Sequence, residues 1–191
     1  MTRAEETAIL LEALEQGFLK PDAVIRWADE AIAASPKPPG WLIDLSALTK
    51  VHSEDVAAFL REHAATLPVR RRTELIAVAW QHGLLSLRDA LPRLFKITIL
   101  EREGAPEERI EEPLLDVLVS WDCQEDLDVL PLGLLARLAA ALSEFLPGAA
   151  EIQSFLPCRP ETCPNQPLHP YGGPATQLGN SGATEGPPSV S

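Results

Sequence analysis

Two stretches of the chain share a pattern that is typical of helices joined by tight turns. The first, 10–32, turns at Gly17, and the second, 76–94, turns at Gly83. In each stretch an amphipathic run ends at glycine, two large apolar residues follow, and a second run begins within a few positions. Glycine in this place favours a left-handed helix cap, because it has no side chain to oppose that conformation. We therefore predict two helical hairpins, each folded back at its glycine.

The composition favours helices in the rest of the chain as well. Hydrophobic residues make up 46% of the 191 residues and aromatic residues only 5%, so the core must be mostly aliphatic. Leucine and alanine are strong helix formers, whereas the aromatic residues that favour strands are few. Segments 41–48 and 95–100 also fit short strands, but because no convincing partner strand exists we predict helix in both. For 1–146 we predict an all-α domain, a bundle or short stack of helical hairpins with about six to eight helices.

The composition changes at position 147. Nine of the 18 prolines and six of the 11 glycines lie in 147–191, and this segment has no apolar periodicity. Such a segment buries too little apolar surface to offset the entropy lost on ordering. We therefore predict a disordered tail from 147 to 191, in which only 152–156 has the composition to pack back on the body.

The charge of the chain limits the classes of partner. The formal net charge is −12, and the isoelectric point is about 4.7. Such a chain repels nucleic acid phosphates and anionic membrane surfaces, and it attracts basic proteins. The most apolar segment, 130–146, is short and interrupted by Arg137 and Glu144, so we predict no membrane-spanning helix. With three cysteines and no signal-peptide pattern at the N-terminus, we expect a cytoplasmic location.

Motifs for DNA binding or catalysis are weak. The spacing from Ala79 to Gly83 fits the turn of a helix-turn-helix, but Asp89 and Pro92 fall where the recognition helix needs apolar residues. Arg70-Arg71-Arg72 is better explained as a solvated helix start, or as a set of salt-bridge partners for the acidic excess, than as a phosphate site. The histidines are scattered, and no phosphate-binding loop or nucleophile elbow is present, so we can nominate no catalytic residue.

No metal or cofactor site is predicted either. Cys158, Cys163 and His169 have a spacing that fits no strong zinc pattern. The acidic run 122–128 lacks the loop glycine and the distal glutamate of a calcium-binding EF-hand. We interpret the first group as ordinary thiols of the tail and the second as a solvated loop.

One acidic stretch borders the most apolar segment and is our candidate for partner binding. Its acidic residues are Asp122, Glu125, Asp126 and Asp128. In the apolar segment behind it, Leu135, Leu138 and Leu142 share one face. Charge that raises the encounter rate, next to apolar anchors that slow dissociation, is a common arrangement in protein interfaces. The alternative is an acidic loop that is simply solvated, beside a helix that belongs to the core.

From these observations we expect a cytoplasmic interaction module that neutralises or scaffolds a basic protein. The chain resembles the bacterial immunity proteins in size, charge and predicted helicity, and this resemblance concerns composition alone. The alternative function is an accessory subunit, or a helical enzyme whose pocket leaves no motif in the sequence. A deep polar pocket with clustered titratable groups would favour the enzyme, whereas an acidic grooved or flat face would favour binding.

Overall fold

A computed structural model of the chain describes residues 1–48, 52–100, 111–123 and 130–157. Within these ranges the chain is helical and contains no strand, which confirms the predicted all-α fold. A π-helical turn, Lys96–Leu100, and a 3-10 turn, Leu146–Ala149, accompany the α-helices. The α-helices are α1 (Arg3–Glu15), α2 (Pro21–Ala33), α3 (Gly40–Ser46), α4 (Ser53–Arg61), α5 (Val69–Gln81), α6 (Leu87–Phe95), α7 (Glu112–Asp122), α8 (Leu132–Ser143) and α9 (Ala150–Gln153).

The central helix of the described fold is α5. It packs against α1, α6, α8, α9 and both short turns, and every residue from 73 to 79 is buried. The sequence favours α8 for this place, because α8 is the more apolar helix. Its main contacts are with α7, α5 and α6. The polar residues of α5 are concentrated in its first turns, so the average hydropathy of the helix understates how much of it is buried.

Both predicted glycine turns are present. Gly17 has φ +76° and Gly83 has φ +71°, which is the left-handed conformation expected of helix caps. At the first turn the Gly17 amide donates to the Leu14 carbonyl at 3.1 Å, and the Phe18 amide donates to the Ala13 carbonyl at 2.8 Å. The corresponding bonds at the second turn are both 2.9 Å. These paired bonds satisfy carbonyl groups that the last turn of each helix leaves open.

The hairpin prediction is wrong for the first stretch beyond its turn. Helices α1 and α2 contact each other little: α1 packs mainly on α4 and α5, and α2 mainly on α3. In the second stretch, α5 and α6 do pack against each other. A glycine cap determines where a helix ends, whereas the partner of each helix depends on which apolar faces are complementary elsewhere in the chain.

The predicted boundary after position 146 lies too early, although the expectation that 152–156 packs back on the body is confirmed. Residues 147–156 belong to the folded body, where the 3-10 turn and α9 pack on α5. Four apolar side chains of this segment are buried: Ala149, Ile152, Phe155 and Leu156. Four apolar residues are too few to give the sequence a recognisable helical periodicity. Each of them packs against the hydrophobic core formed by the other helices. The rest of the predicted tail, 158–191, lies outside the described residues.

Candidate functional site

Two of the three leucines proposed as partner anchors belong to the core. Leu138 and Leu142 on α8 are both 0% exposed, because this face of the helix packs inward. A partner has no access to them in the folded protein, so their assignment to a binding surface is wrong. Leu135, one turn earlier, is half-buried and remains within reach of a partner.

The acidic stretch is described only at its beginning. Asp122 is the last residue of α7 and is exposed. Glu125, Asp126 and Asp128 lie outside the described residues, so their part in a binding surface stays a prediction. Asp122 thus marks the C-terminal end of α7, and the other outward side chains of this helix are described.

The outward side of α7 combines carboxylates with an exposed apolar side chain. We define the α7 outer face as Glu112, Asp116, Val119 and Asp122, which the helical period places on one side of α7. All four are exposed, and Val119 keeps 50% of its surface accessible. The three carboxylates make no ion pair with any described residue. A patch of negative charge therefore surrounds one apolar contact.

A groove runs beside α1 and was not predicted. It consists of two depressions, of about 230 Å³ and about 510 Å³, which share the side chain of Glu15. The residues that line the smaller depression include Ala8, Leu11, Glu12, Glu15, Leu67 and Arg72. The larger one is lined by Leu14, Glu15, Ser53, Glu54, Ala57 and Arg61. We call the two together the α1–α4 groove.

Two ion pairs cross the groove, and they differ in their exposure to water. Arg61 donates to Oε1 of Glu15 through Nη2 at 2.6 Å and Nε at 3.1 Å, and the two side chains are 57% and 40% exposed. Arg72 donates to Glu12 through Nε and Nη2, both at 3.2 Å, and these side chains are only 18% and 16% exposed. Glu54 is exposed and makes no ion pair with a described residue.

A buried carboxylate forms the centre of a polar network at the start of α5. Glu74 is 2% exposed and accepts hydrogen bonds from Nε of Arg70 at 3.2 Å and from Nη1 of Arg71 at 2.8 Å. Arg71 also donates to the Gly148 carbonyl at 3.3 Å and lies 3.6 Å from Glu151. The network therefore fastens α9 and the 3-10 turn to the central helix.

The interpretation of Arg70-Arg71-Arg72 as salt-bridge partners is confirmed. Arg70 adds an ion pair with Glu111 at 3.5 Å, and Arg72 pairs with Glu12, as described above. The three arginines thus bind carboxylates from α1, α5, α9 and the residue before α7. Three cations in the first turn of α5 oppose the positive end of the helix dipole, and the surrounding carboxylates offset this repulsion.

The exposed carboxylates follow a different pattern from the arginines. Apart from Arg137, each arginine of the described residues has an intramolecular polar or ring contact. Many carboxylates in the same ranges are exposed and make no ion pair there: Asp22, Asp44, Glu54, Asp55, Glu62, Glu112, Asp116, Asp122 and Glu144. The described surface therefore presents more accessible negative charge than positive charge.

Of the three described histidines, His52 is exposed, and the other two lie in packed surroundings. His63 stacks on Trp41 with ring centroids 4.5 Å apart, and His82 is buried. Within the described ranges, no three histidine, cysteine, aspartate or glutamate side chains are grouped so that they could hold a metal ion. Cys158, Cys163 and His169 lie outside these ranges. Nor does any helix of these ranges combine the length and apolarity needed to cross a membrane.

Sequence reasoning missed both the groove and the burial of Glu74. A signal existed for Glu74, because arginines three and four positions earlier are suitably spaced for ion pairs on a helix. No comparable signal existed for the groove, because it depends on how α1 packs against α4. No protein-family model, no curated protein and no solved structure matches the chain, so its function must be inferred from its own residues.

Proposed function

We propose that the protein is an interaction module that binds a basic protein partner. The contact surface is the α7 outer face together with Leu135 and the acidic residues that follow α7, namely Glu125, Asp126 and Asp128. The observation that carries this proposal is the set of three exposed carboxylates around Val119, none of which makes an ion pair with a described residue. Cytoplasmic neutralisation or scaffolding of the partner is the role we propose for this module.

The chemistry of the α7 outer face suits this role. Surface carboxylates that make no ion pair with a described residue, in a chain with a net charge of −12, attract a cationic partner over several ångströms and raise the encounter rate. Val119 then offers an apolar contact from which the partner can exclude water. Because the carboxylates have no described ion-pair partners, an approaching lysine or arginine need not displace a cation of this chain.

The alternative of an accessory subunit or a helical enzyme has less support. The buried carboxylate Glu74 is the type of group that catalysis can use, but both its oxygens accept hydrogen bonds from arginines. It thus holds the fold together at the start of α5. No specific observation favours a catalytic role for it.

Parallel capture experiments with three versions of the full chain test the proposal. The parent, Asp116→Lys/Asp122→Lys and Asp44→Lys/Glu144→Lys are used as baits in a lysate of the cells that produce the protein. The third version is the control, because it changes the net charge by the same amount on other exposed positions. We expect a basic protein to be retained by the parent and the control and lost from the α7 variant.

Thermal melts of all three baits show whether each one is folded. Equal retention of the same proteins by all three baits would contradict the proposal, because the α7 outer face would then contribute nothing. Retention of acidic proteins alone would also contradict it.

A further inference from the structure

We propose that the α1–α4 groove is a second binding site, which takes a basic amphipathic helix from a protein partner. In this site Arg61 occupies the position that a cation of the bound helix takes over. The groove is formed by α1, α4 and residues 65–72, so the proposal is independent of the α7 outer face.

The apolar and charged residues of the groove are arranged in two levels. Leu14 and Ala57 are each 5% exposed and form the floor of the larger depression, whereas Glu15 and Glu54 are exposed at its rim. An amphipathic helix binds such a groove by placing apolar side chains on the floor and charged side chains at the rim. The rim carries two carboxylates, Glu15 and Glu54, and one cation, Arg61, so its formal charge is −1 and the matching charge on the ligand is positive.

The exposed Arg61–Glu15 ion pair at the rim can be replaced by an ion pair between Glu15 and a cation of the ligand. Both hydrogen bonds from Arg61 end on Oε1 of Glu15, so Oε2 accepts no bond from that guanidinium. Ion pairs between exposed side chains contribute little to stability, so a second cation can replace Arg61 at small cost. The Arg72–Glu12 pair is largely shielded from water and remains in place as part of the wall.

The length of the groove sets the length of the ligand. Between Ala8 and Glu15 the α1 axis advances by about 10 Å, at 1.5 Å per residue. A helix of about two turns matches that distance. It would present apolar residues at positions i, i+3 or i+4 and i+7, flanked by lysine or arginine.

The defined probe is a fluorescent peptide of about 14 residues with leucines at this spacing and lysines at the other positions. Its binding to the full-length protein is followed by fluorescence anisotropy at low ionic strength. Two comparison peptides separate shape from charge: one has the same composition in scrambled order, and the other has glutamate in place of lysine. We expect the amphipathic lysine peptide to bind at least about tenfold more tightly than either comparison peptide.

Matched variants then locate the binding. Arg61→Gln should tighten binding several-fold, because it removes the internal competitor for Glu15, whereas Arg137→Gln should not, although it changes the net charge equally. Glu15→Gln/Glu54→Gln should weaken binding at least about tenfold relative to Asp44→Asn/Glu144→Gln. If the double variant at Glu15 and Glu54 fails to fold, Arg61→Gln against Arg137→Gln still decides the question.

Equal binding by Arg61→Gln and Arg137→Gln would overturn the proposal, and so would equal binding of the ordered and scrambled peptides. Absence of binding to both the parent and Arg61→Gln would overturn it as well. None of these results affects the capture test of the α7 outer face, which uses other residues and another ligand. Failure of the groove proposal can therefore be distinguished from failure of the proposed function.

Discussion

The charged residues at the start of α5 and those on the α7 outer face differ in their surroundings. At the start of α5, Glu74 is buried and each of the three arginines lies within 4 Å of at least one carboxylate. On the α7 outer face, Glu112, Asp116 and Asp122 are exposed and make no ion pair with a described residue. Both regions are rich in charged residues in the sequence, but only in the first are those residues paired with one another in the folded body.

The charged residues at the start of α5 therefore stabilise the fold, whereas those on the α7 outer face are available to a partner. A buried charge is costly unless it is paired and hydrogen-bonded, so removal of one member of the α5 network leaves its partners uncompensated. An exposed carboxylate is solvated with or without a partner, so its removal has little effect on stability. We therefore expect changes at α5 to alter unfolding and changes at α7 to alter binding.

The largest expected effect concerns an apolar residue of the core, compared with the apolar residue of the α7 outer face. Leu138→Ala should lower the free energy of unfolding by about 2–5 kcal/mol, through lost burial and a cavity in the core. Val119→Ala on the α7 outer face should stay within about 0.5 kcal/mol of the parent, because half of that side chain is exposed. Urea unfolding of both variants measures the two free energies of unfolding. If the two variants were equally stable, Leu138 would not be a core residue, and its assignment to the partner-binding surface would stand.

The next effect tests the network directly. Glu74→Ala should cost about 1–3 kcal/mol, less than a fully buried pair, because Arg70 is 61% and Arg71 33% exposed. The control Asp116→Ala should change stability by no more than about 0.5 kcal/mol. Both are measured by urea unfolding at neutral pH. A Glu74→Ala protein as stable as the control would show that the network does not fasten α9 to α5.

Two glycines should respond with opposite signs. A Cβ atom at Gly148 would lie 3.0 Å from Oε1 of Glu74, so Gly148→Ala must displace the carboxylate and should cost about 1 kcal/mol. A Cβ atom at Gly133 in α8 meets nothing within 4 Å, so Gly133→Ala should stabilise the protein by up to about 1 kcal/mol. Thermal melts give both shifts. Stabilisation of the same size at both positions would mean that Glu74 moves freely.

The smallest effect is a pH dependence at an exposed carboxylate that is engaged in a helix cap. Glu5 accepts hydrogen bonds from the Thr2 amide at 2.7 Å and the Thr2 hydroxyl at 3.0 Å. These bonds stabilise the ionised carboxylate and lower the pKa of Glu5 from its ordinary value, and the bond from the amide is the larger cause. A pKa lowered by folding gives stability that is present above the unfolded pKa and is lost as the pH falls through the folded pKa.

Glu5→Gln should therefore melt below the parent at about pH 7, and the difference between their melting temperatures should shrink towards about pH 3. Asp116→Asn, with no such hydrogen bonds described, serves as the control and should track the parent at neutral pH. A constant difference between Glu5→Gln and the parent across this range would show that the charge of Glu5 does not matter.

Local features of the fold could be predicted from the sequence, and features that depend on distant residues could not. The turns at Gly17 and Gly83 follow from backbone sterics and short-range apolar periodicity, so the sequence alone predicts them. The periodicity of α8 likewise shows an apolar face, but it does not show whether that face meets the core or a partner. Arg61 and Glu15 are 46 positions apart, and only the packing of α4 on α1 brings them together.

Steering of a basic partner by the α7 outer face is tested most directly by the rate at which the captured partner associates, measured over a range of ionic strength. We expect the rate constant for the parent to fall by about tenfold or more as salt is added, with little change in the dissociation rate. Asp116→Lys/Asp122→Lys, and Glu125→Lys/Asp126→Lys/Asp128→Lys, should associate more slowly and respond less to salt. An association rate that is insensitive to both salt and charge reversal would contradict the proposed role of these carboxylates.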